Sequence, residues 1–383
     1  MRPGRLPTAL AAAGALLIAA ALAGCGAAPA AGPPVRAVPA APPPLQTSFA
    51  DGTGTGWAVV EMGGSAAQEE NFWEMFARPP GSAAWRLVTP AGVADNGGLV
   101  AAPAGGASLL TGFLPSQDLR FSPLAATSDS GANWSTAGPV NPGLANVPDA
   151  LAAGPGGSLI ALTGGGAELG QPGGAAWTRL STARALAATP AGRACRVTGL
   201  TAVAFGRSGT PMLAAGCGHP GVAGIFARSG GTWRAAGPAV PAALAREDIE
   251  VLRLATVGTG LVALLRAGTG PGTGTVAAWY DGSRWTLSAP LHTPATRSTA
   301  IGPGGSVAVM LNAAHAATLA GPGASWHALP ALPAWTATLA LGPGGQVDAI
   351  AAHASTFTDW RLAPAGWSQQ QTIRVTIPYG SSG

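Results

Sequence analysis

Tryptophan returns along this chain at a nearly regular interval. Trp85, Trp134, Trp177, Trp233, Trp285, Trp326 and Trp367 fall 49, 43, 56, 52, 41 and 41 residues apart. A recurrence of about 40–55 residues is the signature of a radial β-repeat, one blade per period, each blade burying its faces against its neighbours in a ring.

A second marker runs in phase with the first. A glycine turn precedes each tryptophan: Gly54-Thr55-Gly56, Ala104-Gly105-Gly106, Pro155-Gly156-Gly157, Arg207-Ser208-Gly209, Gly258-Thr259-Gly260, Pro303-Gly304-Gly305 and Pro343-Gly344-Gly345. Proline presets φ for a turn, and glycine permits the positive φ of tight hairpins. The flanks alternate as half-buried strands do, as in Leu159-Ile160-Ala161-Leu162 and Leu252-Arg253-Leu254-Ala255. A second hairpin follows in each unit. Ala278-Trp279-Tyr280, for example, runs through Asp281-Gly282-Ser283 into Arg284-Trp285-Thr286-Leu287. Each tryptophan therefore opens the fourth strand of a four-stranded antiparallel unit. With 58 glycines and 35 prolines, few windows are long enough for a helix.

The reading predicts an all-β chain, a seven-bladed β-propeller of four-stranded antiparallel blades over 44–378. The blades are placed at 44–92, 93–144, 145–192, 193–245, 246–292, 293–332 and 333–378, with a short tail at 379–383. The alternating stretch Thr372-Ile373-Arg374-Val375-Thr376-Ile377 is expected as a strand beyond the seventh tryptophan strand, closing the ring against the first blade.

One turn is richer than the rest. Thr127-Ser128-Asp129-Ser130-Gly131-Ala132-Asn133-Trp134 matches the pattern Ser/Thr-x-Asp-x-Gly-x-x-Trp. It resembles the Asp-box of sialidase-type (BNR-repeat) propellers, in which such a box lies between the third and fourth strands of a blade and is structural. Thr127, Asp129, Gly131 and Trp134 are its matching positions, with Asp129 accepting backbone N–H bonds and Trp134 packing beneath the hairpin. The opening Phe49-Ala50-Asp51 and Gly56-Trp57-Ala58-Val59-Val60 is similar to the blade start of photosystem-assembly-type BNR propellers. The likeness covers 44–378 in rhythm but holds one complete box, with a degenerate echo at Tyr280-Asp281-Gly282-Ser283-Arg284-Trp285.

The N-terminus reads as an address. Arg2 and Arg5 precede an uncharged apolar run from Ala9 to Leu22, and Leu22-Ala23-Gly24-Cys25 reads as a lipobox. The run is shorter than the roughly 20 residues of a bilayer span and suits a signal peptide over 1–24. Cys25 would carry the lipid and hold the protein at the membrane, and the Ala/Pro-rich residues to 43 would form a tether. An ordinary secretory signal with an incidental Cys25 is the alternative. The expected place is the extracytoplasmic face of the cell membrane.

Cys195 and Cys217 remain, at the two ends of a predicted hairpin turning at Gly206–Gly209. In an oxidising compartment they are expected to pair; two free buried thiols are the alternative.

Chemistry-bearing sets are few. The charged residues comprise 20 arginines, no lysine and 16 acids, and no arginine cluster marks a nucleic-acid footprint. Without lysine there is neither a P-loop nor a Schiff base. The five histidines have no metal-ligand spacing, and no Gly-x-Ser-x-Gly elbow occurs. No cofactor, metal or catalytic residue is expected. The sialidase set of arginine triad and Tyr–Glu pair is missing as well. Acidic clusters at Glu61, Glu69, Glu70 and Glu74 and at Glu247, Asp248 and Glu250 keep a glycoside hydrolase as the alternative. Glu69, Glu70, Phe72, Trp73 and Glu74 form a candidate recognition patch, weighed against packing of the aromatic side chains between blades. The expected function is thus a non-catalytic, lipid-anchored binding or scaffold module, monomeric, for an envelope protein or glycan.

Overall fold

The computed structural model describes residues 45–49, 55–63, 71–93, 99–113, 124–136, 149–164, 166–170, 177–268, 273–293 and 296–376. All of them belong to one compact unit, Val38–Gly383. The predicted signal peptide, Cys25 and the whole tether lie outside the described residues.

Seven four-stranded antiparallel blades follow one another in chain order. Blade 1 holds β1 (Leu45–Phe49), β2 (Gly56–Gly63), β3 (Asn71–Arg78) and β4 (Arg86–Leu87). Blade 2 holds β5 (Leu99–Gly105), β6 (Ser108–Phe113), β7 (Leu124–Thr127) and β8 (Ser135–Thr136). Blade 3 holds β9 (Ala150–Ala153), β10 (Leu159–Thr163), β11 (Gly166–Gly170) and β12 (Trp177–Ser181). Blade 4 holds β13 (Val197–Phe205), β14 (Pro211–Cys217), β15 (Gly224–Ser229) and β16 (Thr232–Ala235). Blade 5 holds β17 (Ile249–Val257), β18 (Gly260–Ala267), β19 (Gly274–Tyr280) and β20 (Trp285–Leu287), with the short β21 (Leu291–His292) beside β19. Blade 6 holds β22 (Ser298–Ile301), β23 (Val307–Met310), β24 (Ala316–Leu319) and β25 (His327–Ala328). Blade 7 holds β26 (Thr336–Leu341), β27 (Val347–His353), β28 (Thr356–Ala363) and β29 (Gly366–Arg374).

The glycine turns bend the first hairpin of blades 2 to 7, as their chemistry predicts. In the three Pro-Gly-Gly turns both glycines are left-handed, at φ values such as 65° and 79° for Gly156 and Gly157. L-residues pay a steric penalty in that region, which explains glycine there.

The tryptophan cadence has a further cause. Each ladder indole lies at the start of a fourth strand, and several donate Nε1–H to the carbonyl where the preceding blade ends. Trp134 bonds Val88 at 2.7 Å, Trp285 bonds Ala236 at 2.8 Å and Trp326 bonds Ala289 at 2.9 Å. The residue is thus both filler and latch between blades.

Ring closure differs from the expected form. Thr372 to Arg374 do not form a separate strand; they end β29, which begins at Gly366. Blade 1 takes all four strands from the N-terminal segment and blade 7 all four from the C-terminal one. Their seam is closed by side chains. Phe76 stacks on Phe357 at 4.0 Å, and Val375 joins Ala58, Val60 and Trp85 in one core cluster. Arg78 donates to the buried Asp348 at 2.7 Å, and Arg361 and Gln346 donate to the same carboxylate at 3.0 and 2.7 Å. Gln371 brackets the Trp85 backbone, accepting from its N–H at 2.7 Å and donating to its carbonyl at 3.0 Å.

A second closure lies at the centre. β1 pairs in parallel with β22, from Leu45↔Ser298 to Ser48↔Ile301. Inner strands of a propeller leave one edge unpaired toward the axis. Here the inner edges of blades 6 and 1 are zipped together, and β26 of blade 7 packs against both strands.

The connection from blade 3 to blade 4 holds two short helices that the strand-based reading did not place, α1 (Ala183–Ala187) and α2 (Pro190–Cys195). Thr182 and Thr189 cap them, each accepting an amide N–H at 3.0 Å, and Pro190 occupies a first-turn position. Cys195 therefore ends a helix rather than a strand. It is joined by a disulfide to Cys217 at the end of β14.

Candidate functional site

The inner strands enclose a channel with a cavity of about 680 Å³. Its wall comes from β5, β9, β13 and β17, the end of β22, and Trp57 of β2. Among the described residues none from blade 7 lines it, which follows from the zipping of β1 to β22. The cavity exists because the wall side chains are short. Ala153 and Ala255 stand half-exposed on the wall, with Leu151, Leu200 and Leu252 supplying the apolar bulk. Such a volume is typical of a small-molecule site.

Four charged residues line this wall: Asp149, Arg207, Glu250 and Arg253. Asp149 and Glu250 mark the face where inner strands begin, and Arg207 lies at the opposite face, in the exposed turn after β13. Glu250 forms an ion pair with Arg266, its cross-strand partner on β18. Asp149 stands exposed at the rim, and partial enclosure of its carboxyl raises its pKa.

Arg253 is different. It follows a register shift in β17 between Val251 and Arg253, where Leu252 is the extra residue. The guanidinium reaches along the wall to blade 6 and donates from Nη1 to the Thr299 carbonyl at 2.8 Å. Among the described residues no carboxylate pairs with it. Burial pushes its pKa down to about 10. Its sequence signal was a single charge inside the apolar strand Leu252-Arg253-Leu254.

The residues singled out from sequence are spread apart. Among the described acids of the two clusters, Glu250 alone lines the cavity. Of the candidate recognition patch, Glu69 and Glu70 lie outside the described residues. Phe72 is buried in the seam with blade 7, at 8% exposure, and Trp73 packs half-buried against the cluster shared with blade 2. Glu74 accepts the Thr89 hydroxyl, which in turn accepts the Met75 amide at 2.9 Å. Alternate residues of β3 face the two neighbouring blades, so Phe72 is buried in packing while Trp73 and Glu74 stay half-exposed.

The Thr127–Trp134 turn lies between β7 and β8, the third and fourth strands of blade 2. Asp129 accepts the Asn133 amide at 2.9 Å, the Asn133 side chain at 2.7 Å and the Thr127 hydroxyl at 2.7 Å. These bonds, the Asn133 side chain foremost, hold its pKa near 2. Gly131 is left-handed at φ 84°, and a Cβ there would lie 2.5 Å from the Val88 Cβ. In the echo turn Asp281 accepts the Ser283 and Arg284 amides at 2.8 and 2.9 Å, and its pKa is likewise lowered to about 2, chiefly by the Arg284 backbone. Both turns sit on the face away from Asp149.

One exposed aromatic escaped the sequence reading. Trp335, just before β26, is 64% exposed and stacks on His353 at 3.9 Å. Its signal was its position off the ladder's beat. Among the described residues no group of three or more His, Cys, Asp or Glu could hold a metal ion. No described helix is long and apolar enough to cross a membrane.

No protein-family model matches the chain, and no curated protein matches it. Many solved chains do. YCF48 bound to D1 peptide is similar with 15% identity and TM-score 0.43, over 88% of this chain and 95% of that one. A virginiamycin B lyase from Staphylococcus aureus is similar with 10% identity and TM-score 0.43, over 83% and 91%. The fungal Aleuria aurantia lectin, a six-bladed β-propeller, is similar with 12% identity and TM-score 0.41, over 88% and 97%. At these identities the likeness concerns the ring of small sheets and brings no activity with it.

Proposed function

We propose that the protein is a binding propeller. Its ligand enters the central channel, and a lipid on Cys25 holds it at the extracytoplasmic face of the membrane. The observation that carries this reading is the channel: an open cavity of about 680 Å³ walled by short apolar side chains. Among its described lining residues there is no histidine, cysteine or tyrosine, and the acids are Asp149 and Glu250. The ligand class favoured is a segment of an envelope protein or a glycan.

The test compares the wild type with Ala255→Trp, which fills the channel. Both are immobilised and offered a glycan array and cross-linked envelope extract. A ligand retained by the wild type and lost by Ala255→Trp supports the reading; equal retention refutes the channel as the site. The anchor is tested separately: Cys25→Ala should move the protein from the membrane fraction to the soluble one.

A hydrolytic reading has one observation in its favour. Asp149 and Glu250 share a cavity with Arg253, and glycosidases work with paired carboxylates. Turnover of any array glycan that Asp149→Asn abolishes would favour that reading over binding alone.

A further inference from the structure

The channel wall holds hydrogen-bond donors that the protein does not use. Arg253 carries five N–H donors on a charged fork, and among the described residues it makes one hydrogen bond, to the Thr299 carbonyl, and no ion pair. Trp57, fully buried at the edge of the same cavity, has no partner for its indole N–H. Thr201, the extra residue at the register shift in β13, has none for its hydroxyl. Both of those atoms are sealed from solvent and lie behind the wall, so of the three Arg253 alone presents donors to the cavity. A guanidinium on the wall with most of its N–H donors unused by the protein points to an acceptor from outside.

The rest of the wall limits that acceptor. Leu151, Leu200, Leu252 and Ala255 are apolar, so the body of the ligand is apolar too. Asp149 and Glu250 share the cavity and repel added negative charge, and Glu250 is already neutralised by Arg266. Arg207 lies in the exposed turn at the opposite face, so Arg253 is the cation on this stretch of the wall and balances one negative charge. A planar guanidinium fork matches a carboxylate in two parallel N–H···O bonds, which a tetrahedral dianion at this place would exceed in charge.

We propose that the channel binds a monocarboxylate with an apolar body, its carboxylate held by Arg253 and its body along the leucine and alanine wall. This rests on the binding reading and narrows it to a chemical class. Arg253 is half-buried on the wall, and the enclosure that lowers its pKa to about 10 leaves it charged at neutral pH.

The test titrates the full-length protein by ligand-observed NMR with three soluble probes: hexanoate, its neutral analogue hexanamide, and hexyl phosphate. Hexanoate should bind the wild type at least tenfold more tightly than hexanamide, about 1.4 kcal/mol. Hexyl phosphate should bind more weakly than hexanoate at a pH where it carries two charges. Arg253→Met keeps the aliphatic stem; it should weaken hexanoate at least tenfold and leave hexanamide unchanged. Ala255→Trp should abolish binding of all three. Equal affinity for hexanoate and hexanamide, no hexanoate binding, or wild-type affinity in Arg253→Met would each overturn the proposal. If Arg253→Met does not fold, the hexanoate–hexanamide contrast on the wild type and its loss in Ala255→Trp decide alone. A neutral envelope ligand lost in Ala255→Trp without hexanoate binding would sink this inference and leave the binding reading standing.

Discussion

Asp359 gives the sharpest test of how the ring closes. It lies on β28 with no exposed surface, in the seam between blades 7 and 1, facing the Trp85 indole. Burial first, and then the neighbouring Asp348 carboxylate, raise its pKa from 3.8 to about 6; the Trp85 side chain, Arg78 and Arg361 oppose the rise. The folded state thus holds this proton more tightly than the unfolded chain does. Its stabilising contribution is complete below about pH 4 and disappears as the pH rises through about 6. A shift of this size corresponds to about 3 kcal/mol between the two protonation states. Asp359→Asn stays neutral at every pH and keeps an oxygen for the indole. We therefore expect it to stabilise the protein at pH 7.5 by about 3 kcal/mol and to change little at pH 4. With an unfolding entropy of roughly 0.7 kcal/mol/K for a domain of this size, the midpoint should rise by about 4 °C at pH 7.5. Denaturant titrations and calorimetry at both pH values measure this. A destabilised Asn variant at pH 7.5, or a gain of equal size at both pH values, would refute a buried carboxyl that titrates near 6.

Three further outcomes follow from the same geometry. Arg78→Met strips Asp348 of one of its two arginines and should cost about 3 kcal/mol in urea titration, while the exposed Arg86→Met should stay within about 0.5 kcal/mol. Replacing Cys195 and Cys217 together by Ala removes a cross-link of sequence separation 22. It should cost about 3 kcal/mol, and reduction of the wild type should reproduce that loss. Gly131→Ala forces a Cβ against Val88 at a positive φ and should cost roughly 3 kcal/mol, whereas Gly304→Ala, left-handed but facing open space, should cost about 1 kcal/mol.

The anchor of the sequence reading was local chemistry, and local chemistry carried over. Pro155-Gly156-Gly157 dictates its own turn because two consecutive left-handed residues fit almost only glycine. Asp129 draws its partners from within four residues, so its turn is written in one short string. The helices over 183–195 were missed although Thr189-Pro190 is a start signal, because at five and six residues they carry no apolar period. Phe72 and Trp73 look like a surface patch as a string. Only the neighbouring blades bury Phe72 and half-cover Trp73, and among the described residues no carboxylate pairs with Arg253.

What this chain determined by sequence alone was its number of wedges and the order of strands within each, since turns and strand alternation depend on residues a few positions apart. What only the tertiary structure decided was how the ring joins: β1 against β22, Arg78 against Asp348 across 270 residues, and, among the described residues, blade 7 kept off the channel. Pairings that distant leave no period and no motif in the sequence. They are set by which faces and charges come together once seven similar sheets must share one axis.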